Sequence, residues 1–75
     1  MNRNNLLSIP VGSSASVKSL GTGGLTRRRL LDLGLTPGAQ VACLYEAPSG
    51  NPRAYLIRGA VIALRNQDAE KINLM

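Results

Sequence analysis

Arg27-Arg28-Arg29-Leu30-Leu31-Asp32-Leu33-Gly34-Leu35-Thr36-Pro37-Gly38 encodes a helix, its stop and a turn in one run. Thr26, just before it, has the side chain to cap a helix by accepting from a first-turn N–H. Leu25 precedes that cap and Leu30 follows four residues later, the spacing of a hydrophobic staple. Gly34 is placed to take the left-handed conformation that ends a helix, and Leu35 to touch Leu30, as in a Schellman motif. Thr36-Pro37-Gly38-Ala39 then puts Pro and Gly at the centre of a type II turn. The run predicts a helix over 27–33 that is thrown directly into a strand.

Outward from that run, the rest of the chain alternates. Residues 15–20 alternate well enough for a first strand, and Gly21-Thr22-Gly23-Gly24 is a connecting loop. Residues 40–46 form a second strand, with Val41, Cys43 and Tyr45 on one face and Ala42 and Leu44 on the other. Ala47 to Pro52 reads as an exposed loop. Residues 54–57 and 60–64 are strands three and four, joined by Arg58-Gly59 as a two-residue hairpin turn. Asn66 is placed to cap a helical turn through Glu70. Ile72 and Leu74 belong to a short last strand. The predicted class is all-β: a small SH3-like barrel of about five strands, with a short helical insert after the first. Met1 to Ile9 reads as an N-terminal tail and residues 10–75 as the domain.

Composition narrows the possible functions. The 75 residues contain no Trp, Phe or His, and Tyr45 and Tyr55 are the only aromatics. A core must come from Leu, Ile, Val and Ala. One Cys cannot form an internal disulfide, which fits a reducing compartment. No segment reads as a signal peptide, and none approaches the ~20 apolar residues of a membrane span. The formal charge is +5. That suits an anionic partner, and it also serves solubility.

The chain resembles the FeoA family, the small cytoplasmic companions of the bacterial ferrous-iron permease FeoB. The resemblance rests on residues 29–38, then Ala47-Pro48 with Gly50 and Pro52, Ile57-Arg58-Gly59, Ile62-Ala63-Leu64-Arg65 and Asp68-Ala69-Glu70-Lys71-Ile72, in that order and spacing. It spans about Pro10 to Leu74. It implies an SH3-like barrel that binds a FeoB-type permease, acts on its GTPase activity and supports Fe²⁺ uptake from the cytoplasmic side. The same domain type also ends some iron-dependent repressors, so fold follows from the resemblance more firmly than role.

Four sites can be weighed on residue chemistry. Arg27, Arg28 and Arg29 are a candidate partner contact; the competing reading is a solvated face with Arg28 reaching Asp32 at i,i+4. Three consecutive helical residues turn through ~200°, so they cannot share one direction. Read in the first turn, they oppose the helix dipole, which favours acids there. Gly21-Thr22-Gly23-Gly24 lacks the Lys-Ser/Thr of a phosphate loop and reads as a connector. No metal site is expected, because iron ligands are imidazole and carboxylate and the acids are only Asp32, Glu46, Asp68 and Glu70, scattered along the chain. Cys43 reads as a small buried hydrophobe. No cofactor is implied, and without a His base an enzyme is not expected. The alternative function is a basic nucleic-acid-binding barrel, for which two tyrosines are a thin supply of stacking surface.

Overall fold

The computed structural model describes residues 4–75. In chain order it contains a 3-10 turn (Leu6–Ser8), β1 (Ser14–Leu20), α1 (Gly24–Asp32), β2 (Gln40–Glu46), β3 (Arg53–Ile57), β4 (Ala60–Leu64), α2 (Asn66–Ala69) and β5 (Ile72–Leu74). The strands form one antiparallel sheet in the order β4-β3-β2-β1-β5. β1 changes partners along its length: Ser14 to Ser16 pair with β2, and Val17 to Leu20 pair with β5. This hand-over lets all five strands face one core. Val17, Val41, Cys43, Tyr55, Ile57, Leu64, Ile72 and Leu74 meet there with Leu30, Leu35 and Ala69. The all-β class, the five strands and the helical insert after the first agree with the sequence expectation.

The stretch that decides the fold closes as a Schellman motif. The Leu35 N–H donates to the Leu30 carbonyl at 3.2 Å and the Gly34 N–H to that of Leu31 at 2.9 Å. Gly34 has φ +102°, a conformation that side chains with a Cβ avoid. Leu30 and Leu35 are both fully buried. The type II turn follows at once, with the Ala39 N–H on the Thr36 carbonyl at 2.9 Å and φ +88° at Gly38. Leu33 is the C-cap of α1 and packs at the edge of the core.

The start of α1 differs from the expectation. Gly23, not Thr26, is the N-cap, and no side chain caps it. The Arg27 N–H bonds to the Gly23 carbonyl at 3.4 Å, so the helix begins about one turn early. Leu25 is 89% exposed and makes no staple. A staple joins the residue before the N-cap to the fourth helical residue, and with Gly23 as the cap those positions are Thr22 and Arg27.

The N-terminal segment also departs from its expected role. Residues 1–3 of the expected tail lie outside the described residues, but Asn4 to Ile9 are packed. Leu6 is fully buried. Asn5 bridges Asn73, and the Leu74 N–H donates to the Asn4 carbonyl at 2.8 Å. The anchor is Arg53, only 5% exposed, whose guanidinium donates to the Leu7 carbonyl at 2.9 Å and the Ile9 carbonyl at 2.6 Å.

Strand β2 contains a bulge. Cys43 pairs with Tyr55, but Tyr45 pairs with Ala54, so Leu44 is an extra residue in the ladder. A one-residue shift sends the following side chains to opposite faces. Tyr45 therefore lies on the outer face, 59% exposed, and not beside Val41 and Cys43. Glu46 then falls opposite Arg53, with 3.7 Å between carboxylate and guanidinium.

Helix α2 is not capped by Asn66 through its own side chain. The Asn66 N–H donates to Asn51 Oδ1 at 3.0 Å, and Asn66 Nδ2 to the Gly50 carbonyl at 2.9 Å. The loop of residues 47–52 thus supplies the cap from a distance, which gives it a structural task.

Tyr55 is fully buried, and its hydroxyl meets no hydrogen-bond partner among the described residues. Burial pushes its phenol above the ordinary value, against a smaller opposing pull from the Arg53 guanidinium. That guanidinium lies 5.8 Å from the ring centroid. A raised acid pKa means the folded state holds its proton more tightly, so stability is unaffected below the unfolded value near pH 10 and falls as pH rises beyond it. Tyr55→Phe should leave stability at pH 7 unchanged or raised by up to about 1 kcal/mol, because an unsatisfied hydroxyl is removed. It should also flatten the alkaline loss. A Tyr55→Phe protein that unfolds more easily at pH 7 in urea would show that the hydroxyl has a stabilising partner.

Candidate partner-binding site

Helix α1 carries the candidate basic residues on its outer side, while Leu30 turns inward. All three arginines are exposed, but they have different surroundings. Arg28 lies 3.5 Å from Asp32, with both side chains well exposed. Such a pair contributes about 0–1 kcal/mol. Arg29 donates to Asp68 on α2 at 3.2 Å, and Asp68 is largely covered, its side chain 13% exposed. Arg29 thus ties the insert to the turn before the last strand. Arg27 forms no ion pair among the described residues. Because α1 starts at Gly24, Arg28 lies beyond its first turn, and Arg29 falls in the last turn, where a cation suits the dipole. The electrostatic mismatch expected from the sequence is confined to Arg27, at the end of the first turn. What remains exposed is Leu25 with Arg28, one turn apart on the same side, and Arg27 on the flank of the helix.

The other candidates take ordinary structural positions. The Gly21 N–H donates to the Lys71 carbonyl at 2.6 Å, which makes the glycine-rich loop a fastened connector. Cys43 is fully buried. Among the described residues, no three of Cys, Asp and Glu come together around a possible ion. No described helix is long and apolar enough to cross a membrane.

Sequence reasoning missed Arg58. It takes φ +51° at the hairpin turn, with Gly59 at +82°. Its side chain folds back over the end of α1, with Nε on the Gly34 carbonyl at 3.5 Å and an Nη on Thr36 Oγ1 at 2.9 Å. Beside it lies an open depression of about 440 Å³, lined by Gly38, Ala39 and Gly59 and by the strand residues Gln40, Ala42 and Leu56. An arginine in a position that favours Asn or Gly was the available signal.

The chain matches a known family model, the FeoA domain, over residues 4–75. The chain belongs to the FeoA family. Among solved FeoA structures, the FeoA protein of Chlorobium tepidum is 36% identical with a TM-score of 0.86, covering 93% of this chain and 67% of that one. Iron(II) transport protein A of Clostridium thermocellum is 28% identical with a TM-score of 0.89, over 93% of this chain and 43% of that one, so the chain spans under half of its length. FeoA of Stenotrophomonas maltophilia, solved with zinc and described as a procaryotic SH3 domain protein, is 27% identical with a TM-score of 0.85, over 95% and 88%. That protein is put forward as a ferrous iron transport activating factor. No curated protein matches the chain. The FeoA assignment makes the barrel SH3-like.

Proposed function

We propose that this FeoA-family chain is a small accessory protein of bacterial ferrous iron uptake that acts in the cytoplasm. It binds a FeoB-type permease and modulates its GTPase activity without catalysing a reaction itself. The observation that carries this reading is the FeoA match over residues 4–75. Residue chemistry supports a binding role: there is no His, and the one Cys is buried. Nucleic-acid binding is disfavoured because Tyr55 is buried, which leaves Tyr45 as the one aromatic for base stacking.

The exposed part of α1 is the docking surface in this reading. Leu25 supplies an apolar contact, and Arg27 and Arg28 meet an acidic surface of the permease. Arg29 is excluded from the test because reversing it would set a carboxylate against Asp68. An Arg27→Glu, Arg28→Glu variant should stay folded, since an exposed like-charge pair with Asp32 costs only about 0.2–0.5 kcal/mol. Its binding to detergent-solubilised permease should weaken about tenfold or more, and cellular Fe²⁺ uptake should fall with it. Salt should weaken binding of the unaltered chain, because exposed charges are screened beyond ~8 Å at physiological ionic strength. Normal binding and uptake by the folded variant would show that these arginines are only a solvated face.

A further inference from the structure

The register of β2, β3 and β4 gathers apolar side chains on the outside of the sheet. Ala42, Leu56 and Val61 are direct cross-strand neighbours, and Tyr45, Ala54 and Ala63 form the adjacent row, with Ala54 covered by its neighbours. No charged side chain stands in either row. Leu56 is 39% exposed and Val61 58%. Solvated outer faces of antiparallel sheets are ordinarily polar. The first row runs into the open depression whose wall is Arg58.

Arg58 is suited to receive a carboxylate. Two of its nitrogens are held by Gly34 and Thr36. Its remaining donors have no partner among the described residues. Asp32, Asp68 and Glu46 lie instead against Arg28, Arg29 and Arg53. A guanidinium fixed on one side and open on the other loses little freedom when a carboxylate binds.

We propose that this face docks an apolar segment of the permease that carries a carboxylate at one end. The apolar side chains lie along Leu56 and Val61, and the carboxylate meets Arg58. Charge decides the occupant. A second copy of a chain with net charge +5 would bring like charge to the contact. Nucleic-acid phosphates would find Arg58 but leave the apolar rows uncovered. An apolar segment with an acid satisfies both. The proposal rests on the permease reading and adds a second surface, separate in sequence from the exposed residues of α1.

The test measures binding of the full chain to its detergent-solubilised FeoB-type permease. Leu56→Asp and Val61→Asp should each weaken binding about tenfold, the scale of a hot-spot loss, while melting temperature stays nearly constant. Arg58→Lys should weaken it a few-fold, because a point charge replaces a fork. If both aspartate variants fold and bind like the unaltered chain while the Arg27→Glu, Arg28→Glu variant fails, the sheet-face proposal is overturned and the permease reading stands. If the unaltered chain does not bind the permease, both are overturned. If sedimentation shows a dimer of the chain that Val61→Asp dissolves, the occupant is a second copy and the proposal is wrong. Should Leu56→Asp misfold, Val61→Asp on the edge strand decides alone.

Discussion

Gly34→Val should destabilise the protein by about 2–4 kcal/mol, with two separable causes. The first is backbone conformation: φ at Gly34 is +102°, where a β-branched residue is strained. The second is space: a Cβ there would stand 2.9 Å from Arg58 Cγ. Arg58 is flexible enough to withdraw, but only by giving up its bonds to Thr36 and Gly34. For a domain of this size each kcal/mol shifts the melting temperature by roughly 4–8 °C, so a fall of roughly 8–32 °C is expected. A double-mutant cycle of Gly34→Ala with Arg58→Ala separates the causes. If the clash matters, Gly34→Ala costs less without the Arg58 side chain. A melting temperature for Gly34→Val within about 2 °C of the unaltered protein would contradict both.

Arg53→Met should have the next largest effect, about 2–3 kcal/mol. Methionine fills much of the same volume but leaves the Leu7 and Ile9 carbonyls without donors. The N-terminal segment would loosen, and Leu6 with it. Amide exchange around Leu6 to Ile9 should then accelerate more than exchange in β2 or β3, because local release comes before global unfolding. Equal acceleration everywhere would mean that Arg53 supports the whole barrel and not this segment. No change in stability or exchange would show that the two hydrogen bonds contribute nothing.

Features encoded within a few residues were legible in the sequence. The end of α1 and the turn after it depend on Gly34, Pro37 and Gly38, each acting on its own neighbours. β2 and β4 kept their expected limits because each is a continuous apolar-rich run between turn residues. What the sequence hid depends on distant partners. Arg53 falls between the expected loop and the expected third strand, yet it is buried against carbonyls 44 and 46 positions earlier. Without that contact, Asn4 and Asn5 read as a polar tail. The bulge at Leu44 exists only relative to β3, and no residue in β2 signals it. Asn66 has the chemistry of a cap, but Asn51, 15 residues earlier, supplies the oxygen. The candidate docking helix was placed correctly along the chain but started too late, which put Arg28 and Arg29 in the wrong turn. The apolar outer face escaped notice because it needs the register of three strands at once.

The hydrogen bonds between Asn4 and the last strand have a consequence for how the domain can be joined to other polypeptides. Asn4 Nδ2 donates to the carbonyls of Leu74 and Met75 at 3.0 and 3.1 Å, so the two ends of the described chain leave the surface side by side. Two neighbouring exits can be spliced into a surface loop of a host protein with little separation of the host's strands. The same proximity allows the ends to be joined by a short linker and new ends opened elsewhere. A break between Pro48 and Ser49 would leave Gly50 and Asn51 in place to hold α2. The fold is in this sense a cassette, whose insertion geometry is set where Asn4 and Asn5 meet the last strand.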